Sequence, residues 1–461
     1  MLFIKRSFFI ASCTVLLFSC GNNNNNKQTA SAVVSDTATI DGHPAWIMQG
    51  NIYEVNVRQY TPEGTFKAFE TNLQRLKDMG VQTLWFMPIN PISKVDRKGV
   101  LGSYYAVANY TAINPEFGTM DDWKELVKKC HEMGFKVIID WVPNHTGADN
   151  YWLKTHPDFY VTDPKTKKAV SQFDWTDTRK LNYQNPVLSD SMINCMKYWV
   201  EQSDIDGFRC DYAVGPSKEF WIKCINELRK EKNVFMLAEA DEPWLHQAGF
   251  DATYTWSEFN MMKLIAKGER PAYGLDSVFA VLDSTFPKNA IKLYFTSNHD
   301  ENSWNKAEYG TMPGAIHAPF AVLTQTVSRS VPLIYSGQEE PFLDSISFFY
   351  KDTIRFAFYG RADFYKTLLT LRKNNPALSA DASFQKIKTD KDDAIYAYTR
   401  EKDGKKVLVL LNLSKQLQSV KLINASIEGK PLNVFMGQPE ILNNDQQFQL
   451  PGWGFLVYSY P

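Results

Sequence analysis

The stretch Gly207–Ala213, "GFRCDYA", sets an arginine and an aspartate two positions apart inside a run that otherwise reads as a buried strand. Charges stay in a protein interior only when they are paired or put to chemical use. Side chains along a strand alternate in direction, so Arg209 and Asp211 share one face while Phe208 and Cys210 share the other. In a parallel barrel the charged pair would look inward at the carboxyl end of the strands, where such barrels carry their active sites.

The surrounding chain supplies the barrel. From Ile52 onward, short β-type runs alternate with amphipathic helical stretches. In "TFKAFETNLQRLKDMG", Phe66, Phe69, Leu73, Leu76 and Met79 recur at helical spacing before the terminating Gly80. Eight runs read as strands: "IYEVNV", "VQTLWFMP", "FKVIIDWVP", "GFRCDYA", "VFMLAEA", "FDATYTW", "KLYFTSN" and "PLIYSG". Eight alternating units predict a closed (β/α)8 TIM barrel over residues 43–378. An open doubly wound sheet is the alternative, but no glycine-rich phosphate loop follows the first strand, which counts against nucleotide binding.

Two segments break the alternation. Residues 147–188, "GADNYWLKTHPDFYVTDPKTKKAVSQFDWTDTRKLNYQNPVL", form a long excursion after the third strand, and their aromatic residues predict an ordered cap. After about Asn375 the helical pattern ends. "DAIYAYTRE", "KKVLVLLNLS", "VKLIN" and "FQLPGWGFLVYSY" predict an antiparallel β-sandwich over 379–461.

The amino terminus, "MLFIKRSFFIASCTVLLFSC", has Lys5 and Arg6 followed by an apolar stretch, the pattern of an export signal over 1–19. It is too short for a convincing membrane span. Its end, "LLFSC", resembles a bacterial lipobox, which makes Cys20 the lipidated first residue of the mature chain; a plain signal with a chance cysteine is the other reading. The polar "GNNNNNKQTASAVVSDTAT" that follows is a flexible tether, over 20–42. The expectation is an exported protein, lipid-anchored to a bacterial membrane, the outer one, at its periplasmic face or the cell surface. Of the six cysteines, Cys130, Cys195, Cys210 and Cys224 remain after the signal and the anchor, at spacings that match neither zinc ligation nor a disulfide framework. The net charge of -1 offers no field for nucleic acid.

Further acids stand at other strand ends: Asp140 closes "VIID", Glu239 closes "VFMLAE" and Asp300 follows "YFTSNH", with His145 and His299 beside them. Inward carboxylates this crowded cannot all be charged. Arg209 is expected to favour ionised Asp211, and crowding to raise the pKa of Glu239. An ionised nucleophile beside a protonated acid is what glycoside cleavage needs, and a carboxylate separation of about 5–5.5 Å would make it retaining.

"DWVPNHT", "GFRCDYA", "MLAEADEP" and "FTSNHDEN" together resemble, in order, the four sequence regions of the α-amylase family, glycoside hydrolase family 13. "YYAVANYTAINPEFGT" resembles a further family stretch, and "LLNLS" and "LPGWGFLVYS" are similar to its terminal β domain. The resemblance implies Asp211 as nucleophile, Glu239 as general acid/base, and Asp300 as the group that clasps sugar hydroxyls and stabilises the transition state. It implies that Arg209 orients Asp211, that His145 and His299 bind sugar hydroxyls, and that Tyr105 stacks beneath the ring, with adjacent Tyr104 able to exchange roles. Asp140 supports the network. Trp141, Trp152 and Trp175 line subsites or pack in the core.

The implied substrate is an α-glucan, an oligo- or polysaccharide with α-1,4 or α-1,6 bonds. The implied activity is hydrolysis, with transglycosylation and non-catalytic glycan binding as rivals. No cofactor is required; Asn144 matches a position that binds calcium in many members. Val214-Gly215 stands where starch-cleaving members often carry Lys-His, and Asn109 where many carry aspartate.

Overall fold

Eight short strands, most of them buried on both faces, close on themselves in the computed structural model, which describes residues 37–305, 312–341 and 344–461. They are β1 (Ile52–Val55), β2 (Thr83–Phe86), β3 (Lys136–Trp141), β4 (Gly207–Cys210), β5 (Phe235–Ala238), β6 (Ala252–Tyr254), β7 (Ile291–Tyr294) and β8 (Ser330–Tyr335). Each pairs in parallel with its neighbours in chain order, and β8 pairs with β1 to complete the barrel. Burial on both faces explains why these strands read as near-continuous apolar runs. All eight fall on the runs picked from the sequence.

Helices α1 (Leu73–Met79), α2 (Met120–Glu132), α3 (Pro186–Ser203), α4 (Lys218–Glu231), α5 (Trp256–Ala266), α6 (Gly274–Thr285), α7 (His317–Thr326) and α8 (Ala362–Asn374) lie between and after the strands. Local signals set their ends. Thr119 and Asp122 form a reciprocal capping box at the start of α2, and Gly80 ends α1 with a left-handed φ of 98°. The outward side chains of β4, Phe208 and Cys210, belong to an apolar layer shared with Trp141, Met196, Trp199 and Cys224. Cys130, Cys195, Cys210 and Cys224 are buried free thiols.

After β3 the chain forms an antiparallel ribbon, His145–Gly147 against Thr178–Lys180, and α3 begins at Pro186. The ribbon's first strand thus starts two residues ahead of the expected cap, because His145 pairs with Lys180. At the other end of the chain, β9 (Ser383–Thr389), β10 (Ile395–Lys402), β11 (Lys405–Asn412), β12 (Gln418–Ile423), β13 (Leu432–Asn433), β14 (Gln438–Pro439), β15 (Gln447–Leu450) and β16 (Phe455–Tyr460) form one antiparallel sheet in the order β14-β13-β16-β11-β10-β9-β12-β15. One face of β10 and β11, with Leu408 and Leu410, packs against Val420, Leu422, Phe448 and Leu450 as the sheet folds over itself. The other face, with Tyr396, Tyr398, Val407 and Val409, packs against the barrel's helices. Buried Arg400 adds hydrogen bonds to the carbonyls of Thr326, Val327, Ser379 and Ala382, joining the sheet to the end of α7.

The export signal, Cys20 and the tether as far as residue 36 lie outside the described residues. The last residues of the segment read as tether are ordered: Thr39–Ile40 pairs with His43–Pro44, and Asn289 donates to the Asp41 carbonyl. Among the described residues no helix is long and apolar enough to cross a membrane.

Candidate active site

Register builds the site. Asp140 on β3 lies opposite Arg209 on β4, and Arg209 lies opposite Leu237 on β5, one residue before Ala238 and two before Glu239. The Arg209 side chain is fully buried and ties the acids together. Its Nη1 donates to both oxygens of Asp140 (2.9 and 3.2 Å) and to Asp211 Oδ1 (3.2 Å). Nη2 lies 3.0 Å from Glu239 Oε2, and Nε donates to the Tyr254 hydroxyl (3.1 Å). A second contact holds Glu239: the Tyr212 amide donates to its Oε2 (2.9 Å).

On the opposite wall, Tyr105 Oη donates to Asp140 Oδ2 (3.0 Å) and lies 2.7 Å from His299 Nε2, with the two rings stacked. His299 Nδ1 meets Glu54 Oε1 at 2.5 Å, and Nε2 lies 3.4 Å from Asp300 Oδ2. His145 is buried beside Trp175, its Nδ1 is engaged by Asn144, and its Nε2 has no hydrogen-bond partner among the described residues. Of these groups, Tyr105, His145, Asp211, Glu239 and Asp300 line a cleft of about 550 Å³, with Phe173, Trp175, Trp304, Phe348 and Phe349 as apolar walls.

The structure therefore brings Asp211, Glu239, Asp300, Arg209, His145, His299, Tyr105 and Asp140 to one place. It separates the two tyrosines: Tyr104 turns away, beneath the Arg58 guanidinium, and donates to Asn56. Trp141 and Trp152 pack against Tyr110 in the core, and Trp175 alone of the three tryptophans reaches the cleft. Sequence reasoning missed Glu54, Tyr254, Trp304 and Phe348. Glu54 carried a readable signal, an acid at an alternate position of an apolar strand.

One electrostatic expectation is corrected. Arg209 does not single out Asp211 for ionisation, because the guanidinium is shared among three carboxylates. Burial, then the neighbouring Glu239, push the Asp211 carboxyl well above the usual range despite Arg209. Asp140 is pushed up to about 6 by burial, which Arg209 only partly offsets. Burial drives His145 down to about 4, so it is neutral near pH 7. Burial also opposes protonation of His299, but Asp300 and Glu54 outweigh it and raise the imidazole to about 9.

Asn144, the calcium position that the resemblance implies, is engaged within the fold. Asn144 turns its amide nitrogen to His145 and its Oδ1 toward Gly215, where an added Cβ would come within 2.1 Å of it. Calcium takes six to eight oxygen ligands. Among the described residues no group of three or more His, Cys, Asp or Glu could hold a metal.

Residues 21–402 match the α-amylase catalytic domain, and residues 384–457 match the C-terminal domain of maltogenic amylase. The chain belongs to the α-amylase family. Members of this family generally need no cofactor, and some bind calcium. Among its α-amylase relatives, one from Haloarcula japonica is 25% identical over 431 residues, covering 88% of this chain. The match spans 61% of that relative's own length, about three fifths. The crystal structure of a maltogenic α-amylase from Thermotoga neapolitana superposes with a TM-score of 0.82 at 28% identity, covering 90% of this chain and 99% of the other. An α-amylase from Lactobacillus plantarum gives 0.81 at 29% identity, with 90% and 100% covered.

Proposed function

We propose that this α-amylase family member is a retaining glycoside hydrolase that cleaves α-1,4 or α-1,6 glucosidic bonds in starch-derived α-glucans. The observation that carries the reading is the single Arg209 guanidinium in contact with both Asp211 and Glu239 at the floor of an aromatic-walled cleft. A sugar ring seated on Tyr105 presents its anomeric carbon to Asp211 and its glycosidic oxygen to Glu239. Asp211 attacks as the carboxylate and Glu239 protonates the departing oxygen; water activated by Glu239 then releases the glycosyl group from Asp211. Burial and Glu239 push the Asp211 carboxyl up, and the Arg209 contact favours the ionised form in which it attacks. Asp300 and His299 bind hydroxyls whose hydrogen bonds strengthen as positive charge grows on the ring. The unpartnered Nε2 of neutral His145 takes another hydroxyl.

The chain acts outside the cytoplasm, held to a bacterial membrane by lipid on Cys20, a reading supported by the amino-terminal pattern of Lys5, Arg6, the apolar run and "LLFSC". Incubation with maltooligosaccharides, pullulan, cyclodextrins and trehalose tests the activity. Shorter products are expected from at least one, and products longer than the substrate would mark transglycosylation instead. A Cys20→Ala chain that still partitions with membranes would overturn the anchor.

A further inference from the structure

We propose that Glu54 is a positioning residue of the reaction, holding His299 so that its Nε2 proton faces Tyr105 and Asp300. The inference rests on the glycosidase reading for its kinetic consequence and on geometry for the rest. Glu54 lies at an inward position of β1, is fully buried, and meets His299 Nδ1 at 2.5 Å through Oε1, while Oε2 has no hydrogen-bond partner among the described residues.

The directions of the hydrogen bonds follow from their neighbours. Tyr105 spends its only hydroxyl proton on Asp140, whose oxygens already accept from Arg209. The 2.7 Å contact between Tyr105 Oη and His299 must then be made by a proton on Nε2. With Nε2 protonated, the Glu54–Nδ1 contact needs one further proton, carried by the imidazole as an ion pair or by the carboxyl. The burial of Glu54 favours the carboxyl form; Asp300 and Glu54 itself favour imidazolium against burial and Arg209. Either way one continuous chain runs from Glu54 through His299, Tyr105 and Asp140 to Arg209, and so to Asp211 and Glu239. The charged and titratable groups facing His299 are Glu54 from β1, Tyr105 from the β2–α2 connection, Asp140 from β3, Arg209 from β4 and its neighbour Asp300.

The test is Glu54→Gln, which keeps the shape and a donor toward Nδ1 but removes the acid with which His299 shares its proton. In folded protein, kcat should fall about a hundredfold with little change in KM, as misplacement of a catalytic group does. With no acid to share it, the proton of the pair is lost at lower pH, so the alkaline limb of the pH profile and the His299 titration followed by NMR should both move toward acid by about one to three units. Parent kcat together with an unmoved His299 titration would overturn the proposal. The parent enzyme and Asp211→Asn run alongside test the glycosidase reading separately: an inactive parent sinks that reading, and the NMR titration still decides Glu54. If E54Q fails to fold, H299Q is compared with E54Q/H299Q, which leaves no buried charge unpaired. Equal kcat in the two supports action through His299; a further large loss in the double variant overturns it.

Discussion

Arg209 Nη2 sits 3.0 Å from Glu239 Oε2, a contact that reaches from the interior of β4 to the loop leaving β5. With Asp140 and Asp211 on the same guanidinium, one cation compensates three buried or half-buried acids. Arg209→Lys offers a single ammonium in place of a planar fork and cannot serve all three directions. It should lower kcat/KM by about 10²–10³-fold by analogy with loss of a preorganised electrostatic group. Arg209→Leu, which strands the acids without a partner, should cost about 3–5 kcal/mol of stability, read by urea unfolding.

The histidines predict a stability window. His145, held near 4 against an ordinary 6.5, is neutral in the fold but protonates when the chain unfolds. The unfolded chain therefore binds the extra proton below pH 6.5, and stability is lost as pH falls from 6.5 to 4, by about 3 kcal/mol from this group. His246, pushed down to about 3 by burial and then by Lys292, acts in the same direction. His299 has the opposite sign: its stabilisation is present below 6.5 and is lost as pH rises toward 9. Urea midpoints at pH 4.5, 6.5 and 9 should peak at the middle value, and His145→Asn should flatten the acid side.

Gly215 packs against the Asn144 side chain so closely that any Cβ would collide with it. Asn144 engages His145, and its carbonyl accepts from the Leu181 amide within the cap. Gly215→Ala should cost about 1–3 kcal/mol by overpacking. Because the displaced Asn144 carries His145 with it, KM for the glucan should rise as well.

Trp175 presents an aromatic face to the cleft beside His145, their ring centroids 5.4 Å apart. Trp175→Ala should raise KM about tenfold while leaving kcat within a few-fold, the result of removing binding shared by ground and transition states. Steady-state kinetics on a maltooligosaccharide checks the split.

Much of this was legible in the sequence because a TIM barrel repeats one physical instruction eight times. Each strand's apolar run is bounded by turns, and strand alternation alone turned Cys210 to the helices and Arg209 to the interior. The acids stood out because acids are costly in such runs. The choice between Tyr104 and Tyr105 was not legible, since it depends on where a loop after β2 bends over the barrel mouth. Phe348 and Trp304 reach the cleft from segments around β7 and β8, far in sequence from the other walls, and no local pattern announces them. The raised pKa of Asp211 escaped for a different reason: it depends on how one guanidinium is divided among three acids, a three-dimensional quantity.

The most direct test is to trap the glycosyl group on the enzyme with a fluorinated α-glucosyl substrate that slows its release, digest the protein and locate the added mass. The account predicts one covalent sugar per chain, on Asp211. A label on Glu239 or Asp300, or steady cleavage with inverted product and no adduct at all, would contradict it.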